Sequence, residues 1–104
     1  MIALDRDGRS ATLLLEDRSD ASIALAMREL LIHADLDDIE SIELDAAQVV
    51  KIDLAILQVL LAWCNFLETR QISWHWRAAS DSFRQAVQHV GLVQAFRLVN
   101  GQSA

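Results

Sequence analysis

The segment from Ile39 to Arg70 constrains this chain more than any other. Its first half, Ile39-Glu-Ser-Ile-Glu-Leu-Asp45, places Ile42 and Leu44 in alternation with Ser41, Glu43 and Asp45, the period of a half-buried strand. Val49-Val50-Lys51 then leads into Ile52-Asp53, and a long apolar helix follows from Leu54 to Arg70. Asp53 stands where an N-cap belongs, because its carboxylate can accept from the free backbone N–H groups of the first turn. A core strand delivering a short acidic turn to an exposed helix start is a place where partners dock.

The remaining elements organise around this unit. Ile2-Ala-Leu4 and Ala11 to Glu16 read as two strands joined around Asp7-Gly8, a strong hairpin signal. Ser19 or Asp20 can cap a helix running to about His33, with Ile23, Met27, Leu30 and Leu31 inward. An acidic loop from Asp35 to Asp38 returns to the strand. After the long helix, Gln71 to Trp76 reads as a strand with Ile72, Trp74 and Trp76 on one face and Ser73, His75 and Arg77 on the other. Ser80-Asp81 opens a third helix with Phe83, Ala86, Val87 and Val90 inward, and Gly91 ends it. Leu92 to Val99 forms a short tail in which Leu92, Phe96 and Leu98 close the core.

The order β-β-α-β-α-β-α predicts an α/β fold with a mixed four-stranded sheet. Its first pair is antiparallel, its later strands are parallel, and the helices pack on the sheet. With 104 residues and no proline or linker-like stretch, residues 1–104 are expected to form one domain.

Charge and composition narrow the function classes. The net charge is −6, acidic residues gather at Asp35, Asp37, Asp38, Glu40, Glu43 and Asp45, and there is no basic stripe. Nucleic-acid affinity rests on neutralising phosphates, so this balance argues against a nucleic-acid partner and equally against an anionic membrane surface. No apolar run is long enough to span a bilayer, and Asp5-Arg6-Asp7 follows Met1 too soon for a secretory leader. One cysteine, Cys64, precludes an intrachain disulfide and suits a reducing cytoplasm.

The chemistry-bearing residues do not assemble an enzyme. His33, His75 and His89 lack close-spaced partner ligands, so no metal site is expected. Asp5-Arg-Asp7-Gly8 lacks the later ligands of a calcium loop. Cys64 lies on the inward side of its helix, where a thiol is packing material. No phosphate-binding or dinucleotide glycine motif and no nucleophile–base pattern occurs, and no cofactor is implied. Trp63, Trp74 and Trp76 leave a ligand-binding pocket open as an alternative, although tryptophans alternating along a central strand more often fill a core.

At about 100° per residue, Ile56, Leu57, Leu60, Trp63, Cys64 and Leu67 share the broad core face of the long helix. Gln58, Asn65 and Thr69 lie opposite, with Leu54, Ala55, Leu61 and Ala62 beside them. This outer stripe is uncharged and narrow, unlike the charged face of an ordinary solvated helix. Either another protein covers it through Leu54, Ala55, Gln58, Leu61, Ala62 and Asn65, or the tail or a neighbouring helix does. Self-association through the same stripe is a third option.

Leu44-Asp45 and the run from Val50 through Asp53 to Leu61 resemble the STAS domain of bacterial anti-sigma-factor antagonists. That motif reads hydrophobic-Asp-Ser-(Ser/Thr/Ala)-Gly-Leu-x-x-Leu, and the order of elements fits from Ile2 to about Val99. The resemblance implies a cytoplasmic, non-enzymatic interaction module in transcriptional signalling. It would bind an anti-sigma kinase-like protein or another signalling protein through Asp53 and the following helix. In the family the second residue after the motif aspartate is a phosphorylated serine or threonine. Here it is Ala55, Leu54 precedes it, and Ile56 stands in place of glycine. No hydroxyl lies between Asp53 and Leu61, so a phosphate switch cannot act there. The same family includes small subunits of lipid-asymmetry transporters, which bind the transporter ATPase; that is the alternative system.

Overall fold

The structure is a computed structural model and describes residues 2–19 and 21–98. Strands β1 (Ile2–Asp7) and β2 (Ser10–Leu15) form the antiparallel hairpin. Its turn lies one residue later than the sequence suggests. Asp7 pairs with Ser10 inside the ladder, and Gly8-Arg9 make the connection. Gly8 has φ +64, a conformation that glycine adopts without a steric penalty.

Helix α1 (Ala21–Ile32) follows a two-residue strand, β3 (Arg18–Ser19). Of its two candidate caps, Ser19 belongs to β3 and Asp20 lies outside the described residues. Met27 and Leu31 are buried and Ile23 is half-buried, but Leu30 faces solvent, contrary to the sequence reading. The cause is visible in the helix itself. Apolar residues occur on nearly every side of ASIALAMRELLI, so periodicity does not fix which side turns inward.

Strand β4 (Ser41–Ala46) begins two residues later than expected, and β5 (Lys51–Ile52) pairs in parallel with β3. This small ribbon, further tied by Val50 N–H donating to Asp17 O at 2.7 Å, was not legible in the sequence. Helix α2 (Leu54–Thr69) leads to β6 (Ser73–Ala79), and α3 (Asp81–His89) completes the set.

The main sheet has the order β1-β2-β4-β6, with β1–β2 antiparallel and both later pairs parallel, as the element order predicts. A bulge between Leu44 and Asp45 in the β4–β6 ladder lets β6 gain a residue at Arg77. Leu13, Leu15, Ile42, Leu44 and Trp74 point to the helix side and are buried. Thr12, Leu14, Glu43, His75 and Arg77 occupy the other face, which is open to water to varying degrees. On that face Glu43 pairs with Arg77 at 3.1 Å and with His75 at 3.3 Å. Among the described residues no helix is long and apolar enough to cross a membrane.

The C-terminal segment is structural. Phe96 and Leu98 are buried, and the rings of Trp76, Phe83 and Phe96 meet edge-on or tilted, with centroids 5.0–6.4 Å apart. Trp76 Nε1 donates to Phe96 O at 2.7 Å. Arg97 lies over the Trp74 ring at 4.4 Å and reaches Glu68 at 2.6 Å, so the tail is clamped to the end of α2. Val90, expected inside, is the exposed C-cap of α3, and Gly91 takes φ +76 just beyond it. Val99 lies outside the described residues.

Candidate functional site

The candidate site is built on the turn entering α2. Asp53 has an extended backbone (φ −89, ψ 151), and its Oδ1 accepts from Ala55 N–H at 3.0 Å. Its carbonyl accepts from Ile56 and Leu57 N–H, so both ends of this residue close the first turn. Ser80 does the same for α3: its hydroxyl accepts from Phe83 N–H at 3.1 Å and donates to Val49 O at 2.6 Å. The loop before α2 is thereby tied to the loop before α3.

Along α2, the six residues assigned to the core from the sequence are the six buried ones: Ile56, Leu57, Leu60, Trp63, Cys64 and Leu67. Cys64 is enclosed, and burial together with nearby Glu68 pushes its thiol up to about 12, with Arg97 opposing weakly. A neutral, inaccessible thiol is not a nucleophile.

The sequence-derived surface residues divide into two groups. Ala55, Gln58 and Ala62 line a groove between α1 and α2, together with Val59, Trp63 and Phe66. Leu54 and Asn65 are exposed on the other flank of the helix, and Leu61 there is half-buried against the core. Leu54 is 46% exposed on that flank, and Phe66 is 44% exposed on the groove side. The stripe is therefore not covered by the described part of the tail, which packs at the far end of α2 near Glu68.

The opposite wall of the groove comes from Ala24, Arg28, Leu31 and Ile32 of α1, and the groove encloses about 590 Å³. Its α2 wall follows the spacing Ala55, Val59, Ala62, Phe66, one residue per turn, a periodicity present in the sequence that only partly follows the stripe read there. The α1 wall was not foreseeable, because it depends on how the two helices meet. Of the three tryptophans, Trp63 alone lines this groove. Trp74 is buried and donates to Glu68 at 3.0 Å, and Trp76 is half-buried, packed against the core in the aromatic cluster. Trp63 Nε1 is buried with no acceptor among the described residues, a cost of about 1–3 kcal/mol for an unmade hydrogen bond.

No family model matches the chain, and no curated protein matches it by sequence. Solved structures do. SpoIIAA, described as a Bacillus cell fate determinant, superposes in its phosphorylated form with TM-score 0.71 at 16% identity, covering 90% of this chain and 86% of that one. The anti-sigma factor antagonist SpoIIAA in its unphosphorylated form gives TM-score 0.74 at 16% identity, covering 88% and 82%. An anti-sigma factor antagonist from Mycobacterium paratuberculosis gives TM-score 0.77 at 16% identity, covering 92% and 81%. The fold is that of the STAS domain, with its mixed four-stranded sheet and three helices.

Proposed function

We propose that this STAS-fold chain is a non-enzymatic interaction module that binds a regulatory protein through the Asp53 turn and the exposed stripe of α2. The observation that carries the reading is that stripe. Leu54, Gln58, Ala62 and Asn65 are exposed on a helix whose first turn is held by Asp53, and the stripe carries no charge. An uncharged surface with an apolar rim loses little on desolvation, and small residues let a partner's backbone approach closely. The solved proteins of this fold described above are anti-sigma factor antagonists, which supports a signalling partner of that kind.

The phosphate switch is absent from this reading. SpoIIAA is known in phosphorylated and unphosphorylated forms. The motif resemblance sets Ala55 at the phosphoacceptor position; its backbone N–H is engaged with Asp53 and its side chain offers no oxygen. The module binds constitutively, and control passes to the partner's abundance or state.

The test is co-purification from the source organism with the wild type and with Leu54→Glu and Ala62→Glu. The wild type retains a protein partner, and both variants lose it while their thermal midpoints stay within about 3 °C of the wild type. Retention of the partner by both variants refutes the site. Unfolding of either shows that the stripe is core. Recovery of a transporter ATPase keeps the site and changes the system.

A further inference from the structure

The groove between α1 and α2 has features that a protein-docking stripe does not require. Ten residues line its 590 Å³, and they are apolar except for Arg28 and Gln58. A concavity of this size with a few polar groups has the character of a small-molecule site rather than a flat contact. Arg28 is its only charged lining residue. Arg28 enters none of the ion pairs found among the described residues, which join Arg9 to Glu40, Arg77 and His75 to Glu43, Arg97 to Glu68 and His33 to Glu29. Nine basic side chains serve fifteen acidic ones in this protein. Arg6, Arg18, Lys51 and Arg70 enter none of these pairs either, so what sets Arg28 apart is its place on the wall of an apolar groove.

We propose that the groove binds a single-chain amphiphile with a monoanionic head, a fatty-acid-type carboxylate. The alkyl chain lies along Ala55, Val59, Ala62 and Phe66 and against Leu31, and the carboxylate meets Arg28. Each element of the ligand answers an element of the site. The guanidinium fork matches the two carboxylate oxygens. One cation on a chain of net charge −6 selects a single negative charge over a phosphate dianion. Small side chains at Ala24, Ala55 and Ala62 leave room for the chain between the helices. The groove shares Ala55, Gln58 and Ala62 with the docking stripe proposed above, but carboxylate binding needs no partner protein, so it survives a failure to recover one.

The experiment titrates the full chain with octanoate, decanoate and dodecanoate below their micelle concentrations, with 1-decanol and decyltrimethylammonium as neutral and cationic controls. The Trp63 indole N–H resonance, identified by its loss in Trp63→Phe, is the readout. Decanoate shifts that resonance saturably, and each added methylene tightens binding about fourfold until the groove is filled. Arg28→Gln weakens decanoate roughly fivefold and leaves decanol unchanged, whereas Arg28→Lys, which keeps the charge and loses the fork, recovers only part of the loss. Ala62→Trp, at an exposed position, fills the groove and abolishes binding by all chain lengths. No saturable shift of the Trp63 signal by any carboxylate overturns the proposal. So does decyltrimethylammonium binding as tightly as decanoate. Binding to mixed phosphatidylcholine–phosphatidylglycerol vesicles without a response to monomeric carboxylates also overturns it, in favour of a membrane surface.

Discussion

Replacing Asp53 separates two roles that the site places on one carboxylate. In the structure Oδ1 accepts from Ala55 N–H at 3.0 Å, and no acidic residue occurs in the first turn of α2. Asp53 is thus both the cap and the negative charge at the positive end of a 16-residue helix. Loss of a capping side chain costs about 1 kcal/mol, and loss of the charge–dipole attraction about 0.3–1 kcal/mol at an exposed position. Asp53→Ala removes both and is expected to cost about 1–2 kcal/mol, a fall in Tm of several degrees for a domain of this size. Asp53→Asn keeps an acceptor oxygen and removes the charge, so it should cost under about 1 kcal/mol. Urea unfolding followed by tryptophan fluorescence, with unchanged m-values, measures both. If Asn falls as far as Ala, or if Ala costs less than about 0.3 kcal/mol, the capping account is wrong. The pair also sharpens the functional test, since partner binding lost in Asp53→Asn points to the charge and binding lost only in Asp53→Ala points to a frayed helix start.

Further expectations follow from other contacts. Phe96→Ala should destabilise by about 3–5 kcal/mol in urea unfolding, because it empties a fully buried position against Trp76 and Phe83. Ser80→Ala should cost about 1–2 kcal/mol, since it uncaps α3 and removes the donor to Val49 O; calorimetry reads it directly. Burial raises the Cys64 thiol from 9.0 to about 12, so the unfolded chain ionises first on the alkaline side. Its contribution to stability is complete below pH 9 and is lost as pH rises from about 9 towards 12, and Cys64→Ala should show a shallower alkaline decline than the wild type.

Much of the fold could be read from the residues because some of its patterns admit a single interpretation. The inward face of α2 is set by six large side chains at helical spacing, and the alternation in β4 and β6 leaves one face for each residue. Asp53 and Ser80 are caps that local chemistry dictates. Helix α1 is the counter-example: Leu25, Leu30 and Ile32 are all exposed on a helix that is apolar around most of its circumference, so its rotation depends on contacts with α2. The β3–β5 ribbon leaves no mark in the sequence, because two residues on each side carry no periodicity and are joined by backbone hydrogen bonds. The candidate site was visible only along α2. Arg28 and Ile32 stand more than twenty residues from Ala55, and nothing in either segment announces the other.

The strand order has a consequence for synthesis. Because each strand of the main sheet lies beside one made earlier, every new strand leaving the ribosome finds its neighbour already in place, and pairing can proceed in the direction of translation. The last addition is different in kind. Until Phe96 emerges, the indole of Trp76 and the ring of Phe83 lack their common lid, and the nascent protein carries an oily patch at its growing end. A stop codon after Leu92 would leave every described strand and helix encoded and still yield a product that chaperones and proteases recognise as unfinished.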